Sequence, residues 1–331
     1  MGWQSAAASL ERDGYAIIED ALSAEQVERI LQQAKRYAAE RRHTNYADAL
    51  GFCADFAEMV DVPEVLDAVV HWLGPNLYVN HSHVTILPAG QGAPVNAWHR
   101  DGGTELSGAT GDGCERTLPL FIKVGFVLTD MTEAGMGNLA CLPLYREPEW
   151  AVTSASRAIV NADMLRLKAG TAVLFERCWH SGLSNAANSE DRCIFYLQYA
   201  RRFLQPMDPT KYTPLRQLPC SPVRKQLLQL PGDVEYSGNN RSSFYYPRAL
   251  PLLDRHNQRG IPFKGHSKLV PAGYVSRDVP AELLPQIEAL VRAQEGGRAS
   301  RLACASAVGR HCHRSTRSSC CPPLFGTGVK T

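Results

Sequence analysis

The chain has 331 residues, of which 44% are hydrophobic and 21% are charged, and its formal net charge at pH 7 is +2. This is the composition of an ordinary globular protein that can bury a sizeable core. The sequence contains no apolar run of about 18 residues, the length that a membrane span needs, and residues 1–12 lack the apolar stretch of a secretory signal. We therefore expect no membrane segment and a cytoplasmic location.

The charge is divided unevenly along the chain. Residues 298–331 contain six basic residues and no acidic one, which leaves 29 of the 35 basic residues against 33 acidic ones in the body. Residues 1–297 are therefore mildly acidic overall, and this charge does not favour binding to nucleic acid. We predict one domain over residues 1–296 and a disordered basic tail over 297–331. The histidines and cysteines of this tail are residues that zinc binds, but their spacing matches no zinc motif.

The N-terminal third predicts helices around two strands. A short strand is expected over residues 15–18, and a helix begins at Ser23, where Gln26 completes a capping-box pattern. A second helix is expected over 62–72. Polar and apolar residues then alternate over 77–87, which predicts a half-buried strand.

The middle of the chain predicts further short strands. They are expected over residues 118–128, 139–142, 171–175 and 192–200. Residues 145–167 have no clean period and are compatible with a helix, and short helices are expected over 222–230 and 280–295. Many short strands separated by turns favour an antiparallel barrel or sandwich over a parallel α/β sheet. The glycine-rich stretch 102–116 predicts a loop, either a lid over the substrate or an ordinary surface loop.

His99 and Asp101 form the first candidate site. Residues two apart on a strand point to the same side, so this imidazole and this carboxylate can reach one metal ion. A second histidine from a distant strand would complete the facial arrangement of two histidines and one carboxylate that holds iron in non-haem Fe(II) oxygenases. His180, at the end of an apolar strand, is the candidate for it. The alternative for the triplet alone is a surface turn.

Arg192 follows His180 by twelve residues, at the start of the next predicted strand. If those two strands are antiparallel neighbours, the two side chains lie beside each other. A buried arginine needs an anionic partner, and a dicarboxylic co-substrate would supply one in the bidentate geometry that guanidinium favours. The alternative is a surface arginine that follows the acidic turn at Glu190 and Asp191.

With these motifs in this order, the sequence resembles the phytanoyl-CoA dioxygenase family of Fe(II)- and 2-oxoglutarate-dependent oxygenases. The resemblance covers most of residues 8–230. The motifs that carry it are Asp13-Gly14-Tyr15, Ser23-Ala24-Glu25-Gln26, Trp98-His99-Arg100-Asp101-Gly102-Gly103, Lys123-Val124-Gly125-Phe126-Val127-Leu128-Thr129-Asp130, and His180-Ser181-Gly182 with Arg192.

The resemblance implies a mainly β protein with flanking helices around a double-stranded β-helix core (a cupin-like jelly roll). It implies that His99, Asp101 and His180 bind Fe(II), and that Arg192 holds the distal carboxylate of 2-oxoglutarate. Thr85 is expected to contribute to the co-substrate site. Many family members have a hydroxyl residue where this chain has Gly182, and the neighbouring Ser181 is the candidate to replace it.

The implied reaction consumes 2-oxoglutarate and O₂, releases succinate and CO₂, and hydroxylates, desaturates or cyclises a C–H bond of a small organic molecule. An alanine or glycine in place of Asp101 would open a position for halide, so the carboxylate argues against halogenation. Two alternatives stay open. One is a cupin-like dioxygenase that uses the same triad without 2-oxoglutarate, and the other is a catalytically silent cupin-like protein that binds a metal or a metabolite.

Overall fold

The computed structural model describes residues 2–41, 45–92, 98–101, 119–152, 157–208, 220–230 and 251–260. Four expectations lie outside these residues: the candidate lid over 102–116, the helix over 280–295, the domain boundary at 296 and the basic tail. They stay predictions.

Six α-helices lie in the described part of the chain. They are α1 (Trp3–Asp13), α2 (Ala24–Arg41), α3 (Ala54–Ala57), α4 (Pro63–Leu73), α5 (Pro222–Leu227) and α6 (Pro251–Arg259), with 3-10 turns at Ala49–Gly51 and Glu58–Asp61. The capping box predicted before α2 is present, because the Ser23 amide donates to Gln26 Oε1 at 2.9 Å and the Gln26 amide donates to Ser23 Oγ at 3.2 Å. Among the helices described, none has both the length and the apolar character needed to cross a membrane.

Eleven strands are described, and every pairing between them is antiparallel. They are β1 (Tyr15–Ile18), β2 (Asn45–Ala47), β3 (Leu77–Leu87), β4 (Phe121–Val127), β5 (Leu139–Leu142), β6 (Trp150–Val152), β7 (Arg157–Ile159), β8 (Asp163–Met164), β9 (Ala172–Phe175), β10 (Trp179–Gly182) and β11 (Arg192–Arg201). A six-stranded sheet has the order β1-β9-β4-β11-β3-β2, a three-stranded sheet has the order β10-β5-β8, and β6 pairs with β7.

The expected mixture of helices and antiparallel strands is confirmed, and the bounds predicted for β1, β3 and β5 are those observed. The structure differs from the expectations at several points. Strand β3, expected to be half-buried, is buried at every position except His81. The stretch 145–167, compatible with a helix by its sequence, forms β6, β7 and β8 and no helix among its described residues. Residues 3–13 form α1, which the sequence analysis did not predict.

The large sheet is buried on both faces. In β4, Ile122, Val124 and Phe126 face the core under the helices, and in β11 Phe195 and Leu197 do the same. The alternate residues of these strands face a second, smaller apolar core that also takes side chains from the small sheet. Strand alternation therefore places one set of side chains under the helices and the other set between the two sheets.

A buried carboxylate ties the last described helix to α4. Asp67 is fully buried and is ion-paired with Arg255, at 2.5 Å, and with Arg259. Gln226 joins the same region, since its Nε2 donates to the carbonyl of Pro75 at 2.7 Å and its Oε1 accepts from the amide of Leu252 at 3.1 Å. The C-terminal helices are therefore held by charge and hydrogen bonds as well as by apolar packing.

Candidate metal and co-substrate site

The segment Trp98–Asp101 reaches the small sheet through a single bridge between His99 and His180. The amide of His99 donates to the carbonyl of His180 at 3.1 Å, and the amide of His180 donates to the carbonyl of His99 at 3.0 Å. A short non-strand segment is thus attached to β10 at the residue that supplies the second imidazole.

The structure brings His99, Asp101 and His180 together as predicted. One ligand atom from each lies within 4.8 Å of the others. Asp101 Oδ1 is 3.8 Å from His99 Nε2, and Asp101 Oδ2 is 3.6 Å from His180 Nε2. Donors to one tetrahedral or octahedral ion lie about 3–3.5 Å apart, so small side-chain movements would bring these atoms to coordination distance. Asp101 Oδ2 is buried and accepts no hydrogen bond, which fits a carboxylate that binds a cation.

The backbone orients the His180 ring. Its Nδ1–H lies 3.1 Å from the carbonyl of Cys178, to which it can donate. This leaves Nε2, the nitrogen nearer to Asp101, free to bind a metal as a neutral imidazole. The arrangement is the usual one for a metal-binding histidine, in which the second nitrogen is held by a carbonyl or a carboxylate.

Lys123 is the cation next to this triad. Its Nζ lies 3.1 Å from Asp101 Oδ1, and both side chains are largely buried. Burial alone would raise the pKa of Asp101, but Lys123, His180 and His99 together bring the pKa below its ordinary value. The carboxylate is therefore ionised at neutral pH, as a metal ligand must be.

Two sheets and the bridge at His99 enclose a pocket beside the triad. It is lined by His83, Thr85, His99, Lys123, Leu139, Phe175, His180, Gly182, Arg192 and Tyr196. These residues come from β3, β4, β9 and β11 of the large sheet and from β5 and β10 of the small one. The pocket thus has a metal-binding side and a side formed by the inner face of the large sheet.

Arg192 is buried in this pocket, with 1% of its surface exposed. Its Nε and Nη1 atoms are buried and have no hydrogen-bond partner. Burial lowers the pKa of its guanidinium, while Tyr196 and Cys193 act in the opposite direction. Gly182 leaves room for the side chain, since a Cβ at that position would lie 2.9 Å from Nη2 of Arg192. A buried guanidinium with unsatisfied donors is a binding site for a carboxylate.

The predicted route to this arrangement was wrong. β10 and β11 are not neighbours in one sheet, because β10 pairs with β5 and β11 pairs with β3 and β4. His180 and Arg192 instead line the same pocket from opposite sheets. The turn between their strands crosses from one sheet to the other.

Thr85 and Ser181 differ in their positions. Thr85 is buried and lines the pocket, on the strand next to Arg192. Ser181 is buried but is not among the described residues that line the pocket, and its hydroxyl donates to the carbonyl of Gly182 at 3.3 Å. Its role as a co-substrate contact stays a prediction.

Three polar residues of the pocket, His83, Lys123 and Tyr196, were not among the predicted site residues. The rings of His83 and Tyr196 stack with centroids 4.6 Å apart. Burial raises the pKa of Tyr196 to about 12, and burial with the charges of Lys123 and His81 holds the pKa of His83 well below its usual range. The available signal was strand parity, because both His83 and Thr85 lie at alternate positions of one predicted strand.

Comparisons with solved structures find weak similarities at low identity. HygX from Streptomyces hygroscopicus with nickel and 2-oxoglutarate bound matches at a TM-score of 0.46 and 15% identity, over 60% of this chain and 86% of that one. The epimerase SnoN in complex with Fe³⁺, alpha ketoglutarate and nogalamycin RO matches at 0.47 and 18%, over 66% and 91%. The carbocyclase SnoK from nogalamycin biosynthesis matches at 0.48 and 16%, over 65% and 92%.

The sequence comparison identifies the family. No curated protein matches the sequence. Residues 10–193, more than half of the chain, match the model of the family described as phytanoyl-CoA dioxygenase (PhyH). This segment contains the triad and Arg192. The chain therefore belongs to the phytanoyl-CoA dioxygenase family and is an Fe(II)- and 2-oxoglutarate-dependent dioxygenase.

Proposed function

We propose that this enzyme hydroxylates, desaturates or cyclises an unactivated C–H bond of a small organic molecule. His99, Asp101 and His180 hold Fe(II), and Arg192 holds the distal carboxylate of 2-oxoglutarate. When bound, Fe(II) with 2-oxoglutarate and O₂ supplies the oxidation of the C–H bond, with release of succinate and CO₂. The protein's own residues bind, orient and shield the reactants.

One observation carries the proposal: the guanidinium of Arg192, whose Nε and Nη1 have no hydrogen-bond partner, is buried in the pocket that His99 and His180 also line. An uncompensated buried charge is strongly destabilising, so the site is built for an anion that arrives with a ligand. A dicarboxylate that reaches from Arg192 to the triad meets this requirement. Thr85, on the same wall of the pocket, offers a hydroxyl to the same carboxylate.

We propose a jelly-roll core for the two main sheets. Along the chain, the strands alternate between the sheets: β4 is in the large sheet, β5 and β8 in the small one, β9 in the large, β10 in the small and β11 in the large. This alternation is what a double-stranded β-helix requires. The small apolar core that takes side chains from both sheets supports the proposal.

The first test is succinate formation from 2-oxoglutarate by the purified protein with Fe(II) and O₂. We expect slow, uncoupled succinate formation in the wild type and none in His180→Ala. His71→Ala is the matched control. His71 lies on α4, contacts Trp3 with tilted rings whose centroids are 5.5 Å apart, and is not one of the described residues that line the pocket. We expect it to behave as the wild type does.

The same experiment separates the alternatives. An absence of succinate, together with no 2-oxoglutarate binding to the anaerobic Fe(II) protein, would favour a catalytically silent metal- or metabolite-binding protein. Turnover of a substrate with O₂ that does not depend on 2-oxoglutarate or on Arg192 would favour a dioxygenase that uses the triad alone. Binding of 2-oxoglutarate that is lost in Arg192→Ala supports the proposal.

A further inference from the structure

A row of three polar side chains crosses the inner face of the large sheet. Gln198 of β11 lies opposite His81 of β3 and opposite Lys123 of β4. Neighbouring strands are about 4.8 Å apart, so the three residues form one row. All three face the pocket side: Lys123 contacts Asp101, Gln198 is two residues after Tyr196, and the His81 ring stacks on His83 with centroids 4.9 Å apart.

Lys123 loses its counter-charge when the site is filled. Its side chain is 13% exposed, and Asp101 is its carboxylate partner among the described residues. A divalent metal on Asp101 takes up the charge of that carboxylate, and 2-oxoglutarate, as proposed above, pairs with Arg192. The Lys123 ammonium, which also lies 5.5 Å from the centroid of the Tyr196 ring, is then a buried positive charge without an anionic partner, which is unfavourable unless a further anion binds.

The other carboxylate near the row is not available to Lys123. Asp208 is 1% exposed, lies 2.5 Å from Nδ1 of His81, and accepts hydrogen bonds from the amide of Ser82 at 2.7 Å and from its hydroxyl at 3.0 Å. The Asp208 carboxylate is therefore already engaged by Nδ1 of His81 and by Ser82.

Gln198 stands between Lys123 and His81. Its Nε2 is 3.3 Å from Sδ of Met207, a weak acceptor, and Met207 is 63% exposed. The side-chain amide therefore has hydrogen-bonding capacity to spare beside the Lys123 ammonium. Met207 adds an apolar contact at the edge of the row.

We propose that Lys123 and Gln198, which lie opposite each other on neighbouring strands, bind a carboxylate of the primary substrate, so that the natural substrate is an organic acid. The inference rests on the proposed function, since it requires the metal on Asp101 and 2-oxoglutarate on Arg192. The row lies next to the triad through Lys123. A substrate held by its carboxylate at Lys123 presents a neighbouring C–H bond to the metal.

The test uses the full-length protein loaded with Fe(II) and 2-oxoglutarate without O₂, and two probes of equal shape, hexanoate and hexanamide. Calorimetry measures the binding of each. We expect the wild type to prefer hexanoate, and Lys123→Met to bind hexanoate about tenfold more weakly and to lose the preference. Lys168→Met, which removes an exposed lysine, is the matched control and should keep the preference.

A second variant leaves the contact between Lys123 and Asp101 intact. In Gln198→Leu we expect hexanoate to bind about threefold more weakly, with unchanged metal affinity. If Lys123→Met binds hexanoate as the wild type does, or if weaker metal binding is its only defect, Lys123 serves Asp101 alone and the proposal is wrong.

The outcomes also separate this proposal from the one before it. If the wild type shows no visible absorption band from 2-oxoglutarate bound to Fe(II), the proposed function fails. If that band forms but the wild type shows no preference for hexanoate over hexanamide, the proposed function stands and the substrate-carboxylate site is wrong.

Discussion

His99 and His180 are held against each other by their own backbones. Each amide donates to the carbonyl of the other, at 3.1 and 3.0 Å, and the ring centroids are 4.3 Å apart. Two of the three predicted metal ligands are thus positioned before a metal binds. Preorganised ligands lose little freedom on binding, so the charge of Asp101 becomes the main variable in metal affinity.

We expect Asp101→Asn to weaken Fe(II) binding on the order of a hundredfold, because the amide keeps the size of the side chain and removes its charge. Anaerobic competition with a metal indicator measures the change. Glu133→Gln, which alters an exposed acid paired with Arg166, is the control. Wild-type affinity in Asp101→Asn, or full hydroxylase activity in Asp101→Ala, would refute the assignment of this ligand.

We expect Arg192→Met to make the ligand-free protein more stable and to abolish the binding of 2-oxoglutarate. It replaces a buried guanidinium in which two of the three nitrogens, Nε and Nη1, have no hydrogen-bond partner, so we expect the ligand-free protein to gain about 1–3 kcal/mol in free energy of unfolding. The same variant should lose the stabilisation that 2-oxoglutarate gives to the metal-loaded wild type. Urea unfolding with and without 2-oxoglutarate measures both effects, and equal stabilisation of the two proteins would show that the co-substrate binds elsewhere.

Gly182→Ala should affect the co-substrate site and spare the fold. The added Cβ would lie 2.9 Å from Nη2 of Arg192, which is too close, so one of the two groups must move. The guanidinium moves more easily, because it is the far end of a flexible side chain. We expect the KM for 2-oxoglutarate to rise about tenfold, with a small change in stability. Gly92→Ala is the control, since a Cβ there meets nothing within 4 Å. An unchanged KM in Gly182→Ala would mean that Arg192 does not hold the co-substrate.

His83 makes the ligand-free protein sensitive to acid. Its folded-state pKa lies well below the unfolded value because the ring is buried and faces the charges of Lys123 and His81. The unfolded chain therefore takes up this proton first as the pH falls below about 6.5, and stability decreases by up to about 1.4 kcal/mol per pH unit.

The matching variant is His83→Phe, which keeps an aromatic ring beside Tyr196 and removes the titration. Between pH 6.5 and 5.5, we expect its free energy of unfolding to fall by about 1 kcal/mol less than that of the wild type. Chemical denaturation at several pH values gives the two slopes. Parallel slopes would mean that His83 is protonated in the folded state as well.

Part of the triad was predictable from local spacing, although the segment around His99 forms a single bridge to β10 and not the expected strand. His99 and Asp101 are two residues apart, and His180 ends an apolar strand that has a clear pattern. The relative position of His180 and Arg192 was not predictable from the sequence. The number of residues between two strands does not distinguish a hairpin within one sheet from a connection that crosses between two sheets. Both connections bring the ends of two strands together, but only the crossing places the two side chains on opposite walls of one pocket.

Lys123 shows a second limit of the sequence. A lysine in an apolar strand suggests a side chain that points to solvent, and only the three-dimensional structure places it 3.1 Å from Asp101. Helix α1 was missed for a different reason. Its N-cap residue Gly2 makes no side-chain capping bond and its first turn has no acidic residue, so the usual signals of a helix start are absent.

The contact between Asp67 and the two arginines of α6 has a consequence for work with shortened chains. The match to the family model ends at residue 193, yet a fully buried carboxylate inside the matched segment is paired with Arg255 and Arg259. A truncation after residue 250 would remove both arginines and leave the Asp67 carboxylate buried without them. Removing the partner of a buried charge typically lowers the free energy of unfolding by about 3–5 kcal/mol. We therefore expect a stable shortened form of the enzyme to extend at least to residue 259, well beyond the end of the family match.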